Sequence, residues 1–375
     1  MQRVAAFTDT YLPTVNGVTY TVQTWRERWH QRGGRMDVVF PDAPAYDPDG
    51  EREHPTRSVG FPFYEGFRFG LPGVPEPVKR SEPEVVHAHT PFGLGLSALY
   101  LARRIDAPLV ASYHTPTAEY ADYLAKGPVA TAVEGTARRY ERWFMNRADV
   151  VVAPSEPARD HLREIGVSTP VRIVPNGVDA DFFSPVDTAQ VAAFRDRHDL
   201  PDGPLVGYTG RHGYEKNLTE IPPAVAAADA DPTLVFGGEG PAREEVEAAA
   251  AETDVDTRFL GFLDREELPT FYSALDAFLF PSPVETQGLV ALEANACGTP
   301  VVGVDAGALA DTVEDGTNGL HFPEGDTAAF AAAVDRVLAE ADQFRENCLA
   351  YRGTASATHA VDVLADVYDD ANSLR

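Results

Sequence analysis

The sequence predicts an α/β protein made of two doubly wound, Rossmann-like domains. Its 375 residues exceed what one hydrophobic core usually holds and suffice for two domains. Strand and helix patterns alternate along the chain, and this alternation requires parallel sheets. Runs rich in Gly, Pro and Asp interrupt the alternation within residues 176–204. Two sets of alternating elements on either side of this segment indicate two domains with the boundary inside it.

Short apolar runs rich in β-branched residues predict six strands in each half of the chain. In the first half the predicted strands are Val4–Thr8, Met36–Phe40, Val85–His89, Leu109–Tyr113, Val150–Ala153 and Val171–Val174. In the second half they are Leu205–Tyr208, Thr233–Phe236, Arg258–Leu260, Ala277–Phe280, Val301–Val304 and Gly319–Phe322. Helical patterns separate most of them, for example Val18–Gln31, Glu134–Arg147, Glu156–Ile165, Arg243–Glu252 and Ala328–Leu338. Ligands of open α/β sheets bind at the carboxyl ends of the strands, so we expect the working site in the cleft between the domains.

The composition excludes several classes of protein. The net charge is −27, and the basic residues are 28 Arg and 3 Lys. Such acidity argues against a nucleic-acid partner and suits a salt-rich cytoplasm, as in a halophilic archaeon. Cys297 and Cys348 give no disulfide framework. No signal-peptide core and no apolar run approaching about 18 residues is present, so we expect a cytoplasmic protein, either soluble or peripheral to the membrane.

One segment, E-T-Q-G-L-V-A-L-E-A-N-A-C-G-T-P-V-V at 285–302, carries two glutamates in a specific arrangement. Glu285 falls in a strand-to-helix loop, and Glu293 lies about two turns further along the predicted helix Gly288–Ala296. The N–H groups between them point out of a helix N-terminus, where anions bind. They belong to Thr286, Gln287, Gly288, Leu289 and Val290. A phosphate flanked by two carboxylates suggests a sugar nucleotide; an acidic first turn and one solvated glutamate explain the segment equally well.

Other loops are expected in the same cleft. Asn16-Gly17 precedes the first helix, where Gly17 would let backbone approach a phosphate, although an ordinary turn also explains it. His114 ends the fourth strand, a position where a histidine is more often structural. Arg211 and Lys216 follow the first strand of the second half and would clamp a diphosphate from two sides; the alternative is a solvated loop. The run F-G-G-E-G-P at 236–241 is not a dinucleotide fingerprint.

Two other kinds of site are not supported. Asp-x-Asp pairs at 179/181, 229/231 and 254/256 resemble the metal-binding pairs of one class of sugar transferases, but none closes a buried strand facing the cleft. We therefore expect all three pairs on the surface. A glycosidase needs two carboxylates that face each other across the bond, whereas Glu285 and Glu293 share one segment.

Taken together, the motifs resemble the retaining GT-B glycosyltransferases of family 4 over essentially the whole chain. The motifs are N-G-V near the start, H-A-H-T-P-F-G-L-G, S-Y-H-T, V-P-N-G-V-D, G-R-x-x-x-E-K-N-L and E-T-Q-G-L-V-x-L-E-A. Within that family, T-D-T-Y-L-P-T-V-N-G-V, F-P-F-Y-E-G-F-R-F-G-L-P and E-T-Q-G are most similar to diacylglycerol glucosyltransferases. The resemblance implies an acceptor-binding domain at 1–180, a nucleotide-sugar-binding domain at 181–352, and a helix at 353–375 that packs back on the first domain.

The resemblance also implies roles for individual residues. Glu285 would bind hydroxyls of the donor sugar, Glu293 the ribose, and His114 the donor sugar near the reacting carbon. The amides of 287–290 would hold the diphosphate together with Arg211 and Lys216, and Asn16-Gly17 would let it approach the first domain. Two departures affect donor preference: family members often have Phe at Gln287 and Met at Asn295.

The implied activity is transfer of a hexose from a UDP-glucose-like or GDP-mannose-like donor to a lipid or polyprenyl-linked acceptor. Fixed cations and helix-end amides would stabilise the departing diphosphate, so no metal and no cofactor is expected. A GT-B sugar-nucleotide epimerase, a transferase with a soluble acceptor and a non-enzymatic sugar-binding scaffold remain alternatives.

The charge distribution suggests where the acceptor comes from. Residues 1–175 have a net charge of −1, whereas the remainder has −26. The helix at 136–147 contains several arginines beside Trp143 and Phe144, and the loop at 61–72 contains aromatic residues that include Phe67 and Phe69. These features suit peripheral contact with the inner face of an anionic membrane; packing of Trp143 and Phe144 into the core is the alternative.

Overall fold

The computed structural model describes residues 2–14, 16–48, 50, 52–60, 68–114 and 128–374, with only the backbone at 128–133. The chain forms two compact units. Unit 1 contains Met1–Asn176 together with Ala357–Arg375, and unit 2 contains Gly177–Ser356. Each unit is built on a parallel sheet.

Unit 1 contains a seven-stranded sheet with the strand order β3-β2-β1-β6-β7-β8-β9 and a separate antiparallel pair, β4 with β5. The strands are β1 Arg3–Phe7, β2 Arg35–Pro41, β3 Glu53–Thr56, β4 Ser58–Gly60, β5 Arg68–Gly70, β6 Val85–Ala88, β7 Leu109–Ser112, β8 Val150–Ala153 and β9 Val171–Ile173. The helices are α1 Gly17–Gln31, α2 Glu76–Arg80, α3 Gly93–Ile105, α4 Pro128–Met145, α5 Glu156–Glu164 and, from the far end of the chain, α14 Ala357–Ser373.

Unit 2 contains a six-stranded sheet with the order β12-β11-β10-β13-β14-β15. Its strands are β10 Leu205–Thr209, β11 Thr233–Gly237, β12 Thr257–Gly261, β13 Ala277–Phe280, β14 Val301–Val304 and β15 Gly319–Phe322. Its helices are α6 Thr188–Arg197, α7 Ile221–Ala226, α8 Arg243–Ala251, α9 Leu268–Ala274, α10 Leu289–Ala296, α11 Leu309–Thr312, α12 Thr327–Ala339 and α13 Ala341–Tyr351. Single 3₁₀ turns occur at Tyr214–Lys216, Leu218–Glu220 and Arg265–Glu267.

The interior strands of both sheets are buried on two faces, whereas edge strands such as β9 and β12 are only partly buried. In β1, Ala5 and Phe7 enter one apolar cluster, whereas Val4 and Ala6 enter another on the opposite face. Successive side chains of a strand point to opposite faces, so a strand covered on both sides reads as a continuous apolar run. This is why the apolar runs in the sequence located the strands.

The predicted fold class is confirmed, and all twelve predicted strands are present with small differences at their ends. Three further strands, β3 to β5, were not predicted. β3 reads E-H-P-T and lies at the sheet edge, where Pro55 is tolerated and a continuous apolar run is not needed. Helix α4 begins at Pro128, six residues before its expected start, and α10 begins at Leu289 rather than Gly288.

Candidate active site

In unit 2, the order in which strands join the sheet reverses beside β10. Strands β11 and β12 extend the sheet on one side of β10, and β13 begins the other side. Loops 210–217 and 281–288 leave the carboxyl ends of β10 and β13, which are neighbours. Open α/β sheets bind ligands at such a reversal. Four of the predicted site residues, Arg211, Lys216, Glu285 and Glu293, lie on or just beyond these two loops.

The loop after β13 makes its turn at Gly288. This residue has φ of 74° and ψ of 58°, a left-handed conformation that glycine adopts without strain. A Cβ at this position would also lie 2.8 Å from Leu309 Cδ2. The loop is held from behind because Thr312 Oγ1 donates to the Gln287 carbonyl at 2.6 Å and the Ala308 amide donates to the Glu285 carbonyl at 3.3 Å. Glu285 therefore sits in a strand-to-helix loop of fixed shape, as predicted.

The turn leaves backbone donors at the start of α10. The amides of Gly288, Leu289 and Val290 donate to no residue in the described part of the chain. Thr286 and Gln287 belong to the same loop and have partners of their own. A run of outward amides at a helix N-terminus attracts an anion.

The loop after β10 is fixed by a buried histidine that sequence reasoning missed. The His212 side chain has no exposed surface, and its amide donates to the Glu239 carbonyl at 2.9 Å. Gly238 and Gly240 have φ of 98° and 158°, and a Cβ on either would collide with the carbonyl of Gly210 or His212. The glycines of F-G-G-E-G-P thus allow two loops to pack backbone to backbone. Their role is close packing.

Both predicted cations are ion-paired within unit 2. Lys216 Nζ lies 2.5 Å from Glu285 Oε1, with side chains only 18% and 14% exposed. Arg211 pairs with Glu215, four residues further along, and these side chains are 39% and 24% exposed. The loop after β10 therefore places one cation directly against the predicted sugar-binding carboxylate.

Glu293 is not a solvated glutamate. It is the fifth residue of α10, so it lies little more than one helical turn inside the helix. The Tyr272 hydroxyl donates to Glu293 Oε2 at 2.7 Å. Burial raises the pKa of Glu293 to about 7, although the hydrogen bond from Tyr272 acts in the opposite direction. Sequence reasoning missed Tyr272, which looked like an ordinary core aromatic residue.

His114 in unit 1 belongs to a buried group of histidines. Its Nε2 lies 3.0 Å from His89 Nδ1, and the side chain of Asn176 also hydrogen-bonds to it. The His89 ring stacks on His87 with centroids 4.1 Å apart, and Trp25 packs against all three imidazoles. Burial lowers the pKa of His114 to about 4, so the ring is neutral at pH 7.

Asn16 and Gly17 begin helix α1. Asn16 Oδ1 accepts from the Thr19 amide at 2.9 Å and Asn16 Nδ2 donates to Thr10 Oγ1 at 2.7 Å. The side chain is therefore the helix N-cap. Gly17 is exposed as the first helical residue. Val15 of the same motif lies outside the described residues, as do residues 115–127 after S-Y-H.

A third missed residue, Asp9, follows the end of β1. It is 1% exposed and accepts from Thr90 Oγ1 at 2.7 Å, the Gly70 amide at 3.1 Å and the Leu94 amide at 3.2 Å. These contacts tie the end of β1 to the first turn of α3. Desolvation raises the pKa of Asp9 to about 6, more than its hydrogen bonds lower it.

The Asp-x-Asp pairs and the two departures from the family pattern have local explanations. Five of the six aspartates are exposed and Asp179 is half-buried. Within the described ranges, no group of three or more His, Cys, Asp or Glu is arranged to hold a metal.

Asn295, one of the two departures from the family pattern, is buried and hydrogen-bonded in the core of unit 2. It is 2% exposed, and its Nδ2 donates to the carbonyls of Thr299 and Asn318, both at 3.0 Å. Gln287 is 7% exposed.

The residues of helix α4 that the sequence suggested for a membrane surface differ in their exposure. Phe144 is 1% exposed in the core of unit 1, so for this side chain the alternative of packing into the core is the one observed. Trp143 is 39% exposed, and the Arg147 guanidinium lies 3.9 Å from its ring centroid. Arg138, Arg139 and Arg142 are exposed on the same helix.

The aromatic loop at 61–72 is only partly described. Residues 61–67, which include Phe67, lie outside the described residues. Phe69 is half-buried in β5 and packs edge-on against Phe92 with centroids 5.4 Å apart. Among the helices that the structure describes, none has the length and apolar character needed to cross a membrane.

Comparison with known proteins places both halves of the chain in one enzyme class. Residues 15–182 match the family described as Glycosyltransferase Family 4, and residues 191–352 match the one described as Glycosyl transferases group 1. A GDP-mannose-dependent alpha-mannosyltransferase of Mycolicibacterium smegmatis is 33% identical over 356 residues, covering 90% of this chain and 89% of that protein. An Alpha-monoglucosyldiacylglycerol synthase of Streptococcus pneumoniae is 29% identical over 359 residues, covering 91% and 79%.

Solved structures agree on the fold. Sucrose-phosphate synthase from Thermosynechococcus elongatus superposes with a TM-score of 0.75 at 21% identity, covering all of both chains. Anabaena HepE in complex with UDP and glucose superposes with a TM-score of 0.77 at 17% identity, covering 99% of this chain and 100% of that one. The fold is GT-B.

Proposed function

The chain belongs to glycosyltransferase family 4, and from this membership we propose that it moves a hexose from a nucleotide-diphosphate sugar to a lipid or lipid-linked acceptor. We further propose that it retains the anomeric configuration and uses no metal. The observation that carries the proposal is the pairing of Lys216 with Glu285 beside the outward amides of Gly288, Leu289 and Val290. This arrangement combines groups for a diphosphate with a carboxylate for sugar hydroxyls.

The diphosphate is assigned to the start of α10. The amides of Gly288, Leu289 and Val290 offer backbone donors, and Lys216 and Arg211 offer charge from the neighbouring loop. As the sugar leaves, negative charge grows on the departing phosphate, and fixed donors stabilise it without reorganisation. The bond between the anomeric carbon and the phosphate oxygen breaks, and the acceptor oxygen bonds to that carbon from the same face. The departing phosphate takes the acceptor's proton, and the configuration is preserved.

The two glutamates are assigned to hydroxyl groups. Glu285 accepts from hydroxyls of the donor sugar, and Glu293 accepts from the ribose. His114 is assigned to the donor sugar as a neutral imidazole, because its low pKa keeps it uncharged near pH 7. Asn16 and Gly17 are assigned to the diphosphate side of the donor.

The names of two relatives support glucose and mannose as candidate sugars, and one of them names GDP as the nucleotide. The streptococcal relative is named for a glucosylated diacylglycerol and the mycobacterial relative for GDP-mannose. We therefore keep UDP-glucose-like and GDP-mannose-like donors and favour a lipid or polyprenyl-linked acceptor. The acidic surface, with a net charge of −27, suits a salt-rich cytoplasm.

The acceptor is proposed to come from a membrane surface that α4 contacts. Its outer side carries Arg138, Arg139 and Arg142 together with Trp143, whose ring is partly exposed. Arginines and a tryptophan suit an anionic headgroup layer. Because concentrated salt screens charge attraction, insertion of the Trp143 ring has to supply much of the binding.

The test is a thermal-shift panel of UDP, GDP, UDP-glucose and GDP-mannose in molar potassium chloride, followed by assay with diacylglycerol or polyprenyl phosphate acceptors. A nucleotide that binds the folded state stabilises it, and at one ligand concentration the shift is larger for the ligand that binds more tightly. Nucleotide release that needs both donor and acceptor, and that persists in EDTA, supports the proposal. Conversion of the donor without an acceptor indicates an epimerase, and loss of activity in EDTA that magnesium or manganese restores overturns the metal-free mechanism.

A further inference from the structure

Tyr272 is held rigidly under the nucleotide side of the candidate site. Its side chain has no exposed surface, and its ring packs against Phe183, Phe271 and Phe278 with centroids 5.7 to 6.1 Å away. The ring cannot turn without displacing these aromatic neighbours, because interiors are close-packed. The position of the hydroxyl is therefore set by the core of unit 2.

The backbone of Tyr272 is anchored as well. Thr299 Oγ1 donates to the Tyr272 carbonyl at 2.6 Å, and the Leu275 amide donates to the same oxygen at 3.0 Å where α9 ends. Thr299 itself has no exposed surface. The residue is thus fixed at its ring and at its carbonyl.

The one polar atom of the Tyr272 side chain points at Glu293. The hydroxyl donates to Glu293 Oε2 at 2.7 Å, while Glu293 Oε1 accepts from no residue in the described part of the chain. Glu293 is half-buried, unlike Tyr272. The tyrosine therefore fixes one carboxylate oxygen and leaves the other available to a ligand.

We propose that Tyr272 is a positioning residue of the nucleotide site, whose hydroxyl orients Glu293 toward the ribose and favours its ionised form. A hydrogen bond to a carboxylate stabilises the charged state over the neutral one. The inference rests on the proposed assignment of Glu293 to the ribose.

The arrangement makes donor binding depend on pH through Glu293. The titratable and charged groups around the pair come from several elements. They are Tyr272 itself on α9, Tyr208 on β10, Arg265 on the preceding 3₁₀ turn, Cys297 after α10, and Arg345 and Arg352 near Cys297. Burial raises the pKa of Tyr272 well above 10 and that of Cys297 to about 12, so both stay protonated near pH 7. The arginines stay charged.

The direction of this pH dependence follows from the protonation state of Glu293 that binds the ribose. With a pKa of about 7, Glu293 is ionised above that pH, and a carboxylate accepts from ribose hydroxyls better than a carboxylic acid does. Donor affinity should therefore rise as the pH rises through about 7. Removing the Tyr272 hydroxyl removes a hydrogen bond that favours the ionised form of Glu293. The midpoint of the rise in donor affinity should therefore move to higher pH.

The experiment measures the affinity of UDP-glucose and GDP-mannose by calorimetry between about pH 6 and pH 9. These probes are chosen because both of their phosphates are esterified and do not titrate in this range. The variants are Tyr272→Phe, Glu293→Gln and, as a matched control, Tyr46→Phe, which removes a tyrosine hydroxyl that donates to Glu53 at 2.8 Å in unit 1.

For whichever donor binds the parent, Tyr272→Phe should shift the midpoint upward by about one to two pH units and approach parental affinity near pH 9. Glu293→Gln should bind weakly with no midpoint, and Tyr46→Phe should follow the parent. A Tyr272→Phe profile that overlays the parent's, or one lowered equally at every pH, overturns the inference while leaving the proposed function intact. Parental affinity in Glu293→Gln overturns the ribose assignment itself.

Discussion

Lys216 Nζ lies 2.5 Å from Glu285 Oε1, across a gap of 69 residues in sequence, and both side chains are largely buried. The two residues come from loops that leave neighbouring strands, so the sheet itself brings them together. Without a donor, each neutralises the other. On the proposed assignment, Lys216 would be shared between the diphosphate of a bound donor and the Glu285 carboxylate.

The first prediction concerns Glu285. Glu285→Gln should lower turnover by about a hundredfold, because a sugar-binding interaction that strengthens in the transition state is lost. The affinity for UDP or GDP alone should stay within about threefold or become tighter, since the Glu285 carboxylate no longer competes with the diphosphate for Lys216. Steady-state kinetics and calorimetry measure the two quantities.

The control for Glu285 is Glu267→Gln. It breaks an ion pair with Arg197 at 2.7 Å in the same unit, in a more exposed setting. Parental kinetics are expected from the control. If Glu285→Gln also turns over like the parent, Glu285 does not bind the reacting sugar.

The second prediction concerns the cations. Lys216→Met and Arg211→Met should each weaken nucleoside diphosphate binding about ten- to a hundredfold, the loss expected for a hydrogen bond to a charged group. Nucleoside binding should change little because a nucleoside carries no phosphate. Arg197→Met is the matched control. Equal weakening of both ligands would mean that these side chains support the loop and do not meet the phosphates.

The third prediction concerns acid stability. Burial lowers the pKa of His114 to about 4, that of His87 to about 3 and that of His89 well below its usual value. The unfolded chain therefore takes up protons that the folded chain does not, and stability falls as the pH drops through about 6.5. Asp9 acts in the opposite sense because its folded-state pKa, about 6, lies above its ordinary value.

At about pH 5 these four groups give a net uptake of about two protons on unfolding, which corresponds to a loss of about 3 kcal/mol per pH unit. Denaturant unfolding at several pH values measures this slope. Asp9→Asn should make the slope steeper, because the offsetting group is removed, whereas the exposed Asp254→Asn should not. A slope that is unchanged or shallower in Asp9→Asn contradicts the assignment.

The fourth prediction concerns the membrane. The parent should co-sediment with anionic diether phosphatidylglycerol vesicles in high salt, and less with phosphatidylcholine vesicles. Changing Arg138, Arg139 and Arg142 to Glu, or Trp143 to Ser, should reduce binding severalfold. The matched control changes Arg80, Arg163 and Arg172, which are exposed elsewhere in unit 1, to Glu. A parent protein that stays in the supernatant makes a soluble acceptor the better explanation.

The sequence was sufficient to locate the strands because both sheets are covered on two faces and their strands read as apolar runs. It did not locate β3, whose E-H-P-T lies at an edge. The predicted site residues of unit 2 lie on or just beyond strand-to-helix loops at a sheet reversal, and such loops can be located in the sequence from the apolar strands that precede them. Their pairing was not predictable, since the contact between Lys216 and Glu285 depends on which strands are neighbours.

Tyr272 and His212 were missed for a related reason. In the sequence each looks like part of an ordinary segment, an apolar helix in one case and a loop in the other. Their partners, Glu293 and the glycine-rich turn, become visible only once α9 lies against α10 and the two loops pack together. Phe144 is the opposite case, a residue that the sequence suggested for a surface and that the structure buries. It lies beside exposed arginines in the sequence, but its side chain is packed in the core.

Helix α14 gives the chain an order of assembly during synthesis. Its Val361, Leu364 and Tyr368 are fully buried in the core of unit 1, where Tyr368 packs edge-on against Trp29. The ribosome makes this helix only after all of unit 2, so the nascent first unit carries an uncovered apolar face until then. Unit 2, in contrast, is one uninterrupted segment and can complete its sheet as it emerges. Unit 1 is therefore begun first and completed last, and its uncovered apolar face is the surface that chaperones would meet.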